Sequence, residues 1–138
     1  CNGCFLNENF GRELMQLFSV GVFRLNRDGS ITRTANGSPI ETYAQSDVTN
    51  ITRALTGWEF DNSHVVLKPN RLPNATHSNW AGFDKPMIVR WQGGHDDGPK
   101  TFLGQSIPAG QSAEQDAAKV AKILIETFKR SPLIGYQS

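Results

Sequence analysis

The sequence predicts an α+β domain, mainly helical: three amphipathic helices, small β-hairpin excursions and a long loop-rich middle. Three observations carry this. Apolar residues recur at helical spacing in three separate stretches; Asp28-Gly29 and Asn36-Gly37 mark tight turns between short alternating runs; and five prolines fall between 61 and 112. The 138 residues suit a single domain. Lys+Arg 14 against Asp+Glu 13 leaves a net charge of +1, without the basic surplus of a nucleic-acid binder, so no nucleic-acid partner is expected. No run approaches the ~18 apolar residues of a membrane span, and none is expected.

The first helix is expected over about Asn9 to Ser19. Phe10, Leu14, Leu17 and Phe18 stand at i, i+4, i+7 and i+8, with Asn7 as N-cap and Gly21 as the stop. Glu8 and Arg12 are spaced for a helical ion pair. From Val22 to Tyr43 the period shortens to that of strands, giving a β excursion around the two turns. A second helix is expected from about Asp47 to Thr56, with Ser46 as N-cap, Gly57 as C′, and Val48, Ile51, Ala54 and Leu55 on its apolar face. Short strands are expected at Val65–Leu67, Met87–Trp91 and Thr101–Leu103. The third helix, about Ala113 to Lys129, opens on a Ser112/Gln115 capping box. Its predicted buried stripe is Ala117, Val120, Ala121, Leu124 and Phe128. No internal repeat is read beyond Gly104-Gln105-Ser106 and Gly110-Gln111-Ser112.

The densest group of ionisable residues is His95-Asp96-Asp97-Gly98-Pro99-Lys100, read as a turn between two strands. A histidine beside carboxylates suits acid–base chemistry or a divalent metal, with His95, Asp96 and Asp97 as candidate ligands. The bland alternative is a polar hairpin loop whose Asp and Gly serve turn geometry. Asn7, Glu8, Arg12 and Glu13 form a second polar group on the first helix. Either they are a solvated face, or Glu8 or Glu13 turns inward to meet the His95 loop. Cys1 and Cys4 form a lone C-x-x-C, short of the four ligands of a structural zinc site. Gly104-Gln105-Ser106-Ile107-Pro108 lacks the closing Gly of a nucleophile elbow. Trp58, Trp80 and Trp91 read mainly as packing.

Three ordered blocks resemble one bacterial family. Asn7-Glu8-Asn9-Phe10-Gly11-Arg12-Glu13-Leu14-Met15 is similar to its N-E-N-[FY]-A-R-E-L-M block. Tyr43 to Val48 and Arg53-Ala54-Leu55-Thr56-Gly57-Trp58 resemble Y-T-x-x-D-V and R-A-L-T-G-W, and His95 to Gly104 resembles H-D-x-G-x-K-T-[FL]-L-G. The family is catalogued as domain of unknown function 1800. Gly11 departs from it, standing where the family usually has Ala. The resemblance implies no established activity. It implies a longer, often exported or periplasmic parent, of which 1–138 would be one domain-sized fragment, with recovery of burial by homo-oligomerisation as a consequence. The favoured expectation is a hydrolase-like site acting on a small-molecule substrate, with a divalent metal as its candidate cofactor. His95, Asp96, Glu8 and Glu13 would be its catalytic groups, and Asn7, Arg12, Lys100 and Trp58 its substrate-binding groups. The alternative is a non-catalytic structural or interaction module. A thiol-redox role for Cys1 and Cys4 is a third, weaker reading.

Overall fold

The computed structural model describes residues 8–59, 61, 85–89 and 92–130. Asn7, the cysteine pair, His64, His77, Trp80, Trp91 and the strand expected at Val65–Leu67 lie outside them. In chain order the elements are α1 (Glu8–Gln16), α2 (Gln45–Ala54), β1 (Trp58–Glu59), β2 (Ile88–Val89), a 3₁₀ turn (Gln92–Gly94), β3 (Lys100–Phe102), β4 (Gln105–Ile107) and α3 (Ala113–Lys129). The strands make two antiparallel pairs: β1 with β2, where Trp58 faces Val89, and β3 with β4, where Thr101 faces Ser106. The mixed class is as expected.

α2 forms the centre. Val48, Ile51 and Ala54 are fully buried, against Met15 of α1, Phe102 and Ile107 of the β3–β4 hairpin, and Val120, Ile123 and Leu124 of α3. α1 approaches by a different face from the one its apolar spacing suggests. Gly11 and Met15 are buried, while Phe10, Leu17 and Phe18 are 62%, 63% and 77% exposed. The missing side chain at Gly11 allows this: a Cβ there would stand 2.7 Å from Ile51 Cγ2 and 2.9 Å from Thr52 Oγ1. α2 is capped at Ala44 rather than Ser46, because the Asp47 carboxylate accepts the Ala44 N–H at 2.8 Å. It stops at Ala54, two residues before the expected end, and Thr56 and Gly57 serve the His95 loop instead.

The β excursion closes into a three-sided ring. Arg24 N–H donates to Ile40 O, Ile40 N–H to Thr32 O, and Thr32 N–H to Arg24 O, at 2.8–3.0 Å, so each extended piece pairs with the other two. The period is eight residues. Gly21, Gly29 and Gly37 occupy equivalent corners with φ of +72°, +84° and +87°, a region where side chains are strained and glycine is not. This repeat escaped the sequence reading because only the glycine and the turn chemistry recur.

α3 keeps its predicted bounds and capping box: Ser112 Oγ accepts from Gln115 N–H, and Ser112 N–H donates to Gln115 Oε1. Its buried stripe is Ala113, Asp116, Val120, Ile123 and Leu124, rotated from the predicted one so that Phe128 lies 47% exposed. The β3–β4 hairpin turns at Leu103-Gly104, not at the His95 loop, and its turn is fixed to α2. Leu103 N–H donates to Asp47 Oδ1 at 2.8 Å, and the Asn50 amide donates to Thr101 O at 2.8 Å.

Candidate functional site

The last turn of α2 and the first turns of α3 hold the His95 loop between them. Arg53 projects from α2 as a planar fork. Its Nε and Nη2 donate to the two oxygens of Asp96 at 2.8 and 3.0 Å, and its Nη1 to Pro99 O at 3.2 Å and Asn50 Oδ1 at 3.1 Å. This bidentate contact, chiefly, holds the Asp96 carboxyl down at about 2, helped by the Gly98 N–H that donates to Oδ1. The same pair raises the Arg53 guanidinium above its ordinary value. Thr56 follows one turn on: its Oγ1 accepts the Asp96 N–H at 2.8 Å and donates to Arg53 O at 2.7 Å. Gly57, at φ +91°, lets the chain pass against His95, where a Cβ would come within 3.2 Å of the histidine Cβ.

The interior of the site is a buried ionic knot. His95 Nδ1 lies 3.0 Å from Thr56 O and 3.3 Å from Thr56 Oγ1, and Nε2 lies 3.1 Å from Asp116 Oδ2. Lys100 donates to that same Oδ2 at 2.8 Å, to Gly98 O at 2.8 Å and to Asp96 O. The side chains of His95, Lys100 and Asp116 are 1%, 0% and 0% exposed. Segment 96–100 thus winds around its own ammonium group. Lys100 sits opposite Ile107 in the hairpin, which fixes the base of its side chain.

The expected site residues divide into two groups. His95, Asp96 and Lys100 come together, and Trp58 follows directly on Gly57 at the margin. Glu8 and Arg12 lie elsewhere, on α1, where they meet the N-terminal half of α2. Glu8 accepts from Thr49 Oγ1 and Gln45 Nε2, both at 2.9 Å, and Arg12 donates to Gln45 Oε1 at 3.0 Å. Glu13 is exposed, Asn7 is outside the described residues, and Asp97 faces solvent with its carbonyl accepting from Gly110 N–H at 2.8 Å. With both Asp96 oxygens held by Arg53 and both His95 nitrogens against oxygens, the proposed metal set does not present free ligands. Among the described residues no group of three or more His, Cys, Asp or Glu converges as a metal site.

Asp116, Arg53 and Thr56 complete the cluster and were absent from the expected set. Asp116 did carry a signal. It stands three after Ala113 and four before Val120, so a carboxylate falls inside an apolar helical stripe, where it needs a partner. Arg53 and Thr56 lay within the R-A-L-T-G-W block without any local spacing that tied them to residue 96. No helix among the described residues is long and apolar enough to cross a membrane. Neither the curated proteins nor the solved structures contain a match to this chain. A family model described as Protein of unknown function (DUF1800) matches residues 2–137, and with almost the whole length covered the chain belongs to that family.

Proposed function

We propose that this chain is a non-catalytic structural or interaction module, in which the His95–Lys100–Asp116 knot fastens the His95 loop to α2 and α3. The observation that carries it is the pairing of near-zero exposure with full use of the donors: all three Lys100 ammonium protons have oxygen partners, and both His95 nitrogens are occupied. A general base needs one nitrogen directed at substrate. A carboxylate beside a histidine also occurs in hydrolases, which is the one feature favouring the expected hydrolase-like site. There, however, the second ring nitrogen meets the nucleophile, whereas here it lies nearest a backbone carbonyl, Thr56 O at 3.0 Å, and the Thr56 hydroxyl 3.3 Å away already donates to Arg53 O. The exposed apolar residues Phe10 of α1 and Leu17 and Phe18 just beyond its end fit the interaction side of the reading, since exposed apolar patches mark contact sites.

The test is His95→Ala with thermal melting and panels of ester, phosphate and glycoside substrates. The module reading expects a clear fall in melting temperature and no turnover by the unaltered chain. Turnover that His95→Ala abolishes, with melting unchanged, would establish the hydrolase reading instead.

A further inference from the structure

His95 meets only acceptors. Its Nδ1 lies 3.0 Å from Thr56 O, a backbone carbonyl, and its Nε2 lies 3.1 Å from Asp116 Oδ2. The Thr56 hydroxyl, 3.3 Å from Nδ1, gives its proton to Arg53 O at 2.7 Å and has none left for the ring. A neutral imidazole carries one N–H and one lone pair. Either tautomer would therefore point a lone pair at an oxygen, on a side chain only 1% exposed, where solvent does not screen the repulsion. Asp116 is a carboxylate in this pair and not a neutral acid. Its Oδ2 already receives the Lys100 ammonium at 2.8 Å, and its buried Oδ1 has no hydrogen-bond partner to which an O–H could donate.

Charge balance points the same way. α2 brings Arg53, which holds Asp96 of the loop, and the loop brings Lys100, which holds Asp116 of α3. α3 also brings Glu114 in its first turn. The Glu114 carboxyl is lowered chiefly by its own backbone N–H, then by the Gln92 amide, with smaller parts from Ser112 and His95. Gly57 lies against the histidine Cβ and adds no charge, and Asp97 faces solvent. Three carboxylates thus stand beside two fixed cations, and a charged His95 makes the numbers equal. We propose that His95 is a buried imidazolium in the folded chain, and that its second proton fastens the loop by joining α2 at Thr56 to α3 at Asp116. The proposal rests on the module reading and adds a pH-sensitive latch to it. The folded chain keeps a proton that an unfolded chain loses above about pH 6.5. Stability therefore falls as pH rises beyond that value, and the loop loosens when the proton leaves.

Long-range nitrogen–proton NMR of the unaltered chain at about pH 8, on the basic side of the ordinary imidazole range, reads the two ring nitrogens directly. Both His95 nitrogens are expected at the chemical shift of a protonated N–H, while the same chain in urea shows a neutral ring. One lone-pair nitrogen in the folded chain overturns the proposal. Calorimetric unfolding at the same pH, in two buffers of different ionisation heat, gives an independent reading. The unaltered chain should release about one proton more than His95→Gln; equal release by the two folded proteins also overturns it. A neutral ring in a chain whose His95→Ala variant still melts lower, without turnover in either, removes the latch and leaves the module reading standing. Turnover that needs His95 overturns both.

Discussion

Lys100 and Asp116 are the two residues whose removal tells most. Lys100→Met would keep the length of the side chain but leave the Asp116 carboxylate buried without its cation. Breaking one partner of a buried pair costs about 3–5 kcal/mol, so urea unfolding of Lys100→Met should show a loss in that range, and less in a Lys100→Met/Asp116→Leu double variant. Equal losses in the two variants would mean that the pair does not hold the loop. Asp96 gives the pH dependence. Its carboxyl is lowered from 3.8 to about 2 by Arg53, so the contact adds stability above the unfolded value and loses it as pH falls from about 4 toward 2. Asp96 is partly exposed, and the expected contribution is about 1–2 kcal/mol. Urea titrations across that range should show the decline in the unaltered chain and a flatter profile in Asp96→Asn. At this scale the sequence showed that His95, Asp96 and Lys100 matter together, since they are near neighbours in the chain. It did not show Arg53 or Asp116, 43 and 21 residues away from their partners, because only tertiary folding closes those distances.

At the scale of elements, α3 was legible to the residue because its start and stop are written in local chemistry: Ser112 and Gln115 at one end, Ser131-Pro132 beyond the other. α2 buries the face its spacing predicted, Val48, Ile51 and Ala54, whereas α1 was legible as a helix but not in orientation. Hydrophobic spacing identifies an apolar face; which face is buried was decided by a residue with no side chain, Gly11, whose fit against Ile51 and Thr52 sets the crossing. The β excursion was legible as turns and not as a ring, since backbone hydrogen bonds among Arg24, Thr32 and Ile40 leave no mark on side-chain identity. Its corners yield a prediction. Gly37→Ala places a side chain at φ +87° with no neighbour within 4 Å, so the cost is conformational alone, about 1–2 kcal/mol. Gly57→Ala adds contact with His95 to the same strain and should cost more. Chemical denaturation of the two variants checks the order; Gly57→Ala costing less than Gly37→Ala would contradict the close packing of His95 on α2.

Across the whole molecule, a small apolar core around α2 is joined to a polar core around Asp116, and the two share α3. The outward apolar residues Phe10 of α1 and Leu17 and Phe18 just beyond it remain. Phe10→Ser/Phe18→Ser should leave the melting temperature within a few degrees of the unaltered chain, since both side chains are mostly exposed, and should lower self-association in sedimentation velocity. A large fall in melting temperature would place that face in the protein's own core. The central claim is that the His95 cluster fastens the fold and is not a reaction centre. Its most direct test is to measure melting temperature and substrate-panel turnover together for the unaltered chain and His95→Ala. The account predicts a markedly lower melting temperature for the variant and no turnover in either protein. Turnover in the unaltered chain that disappears in a variant of unchanged melting temperature would contradict it.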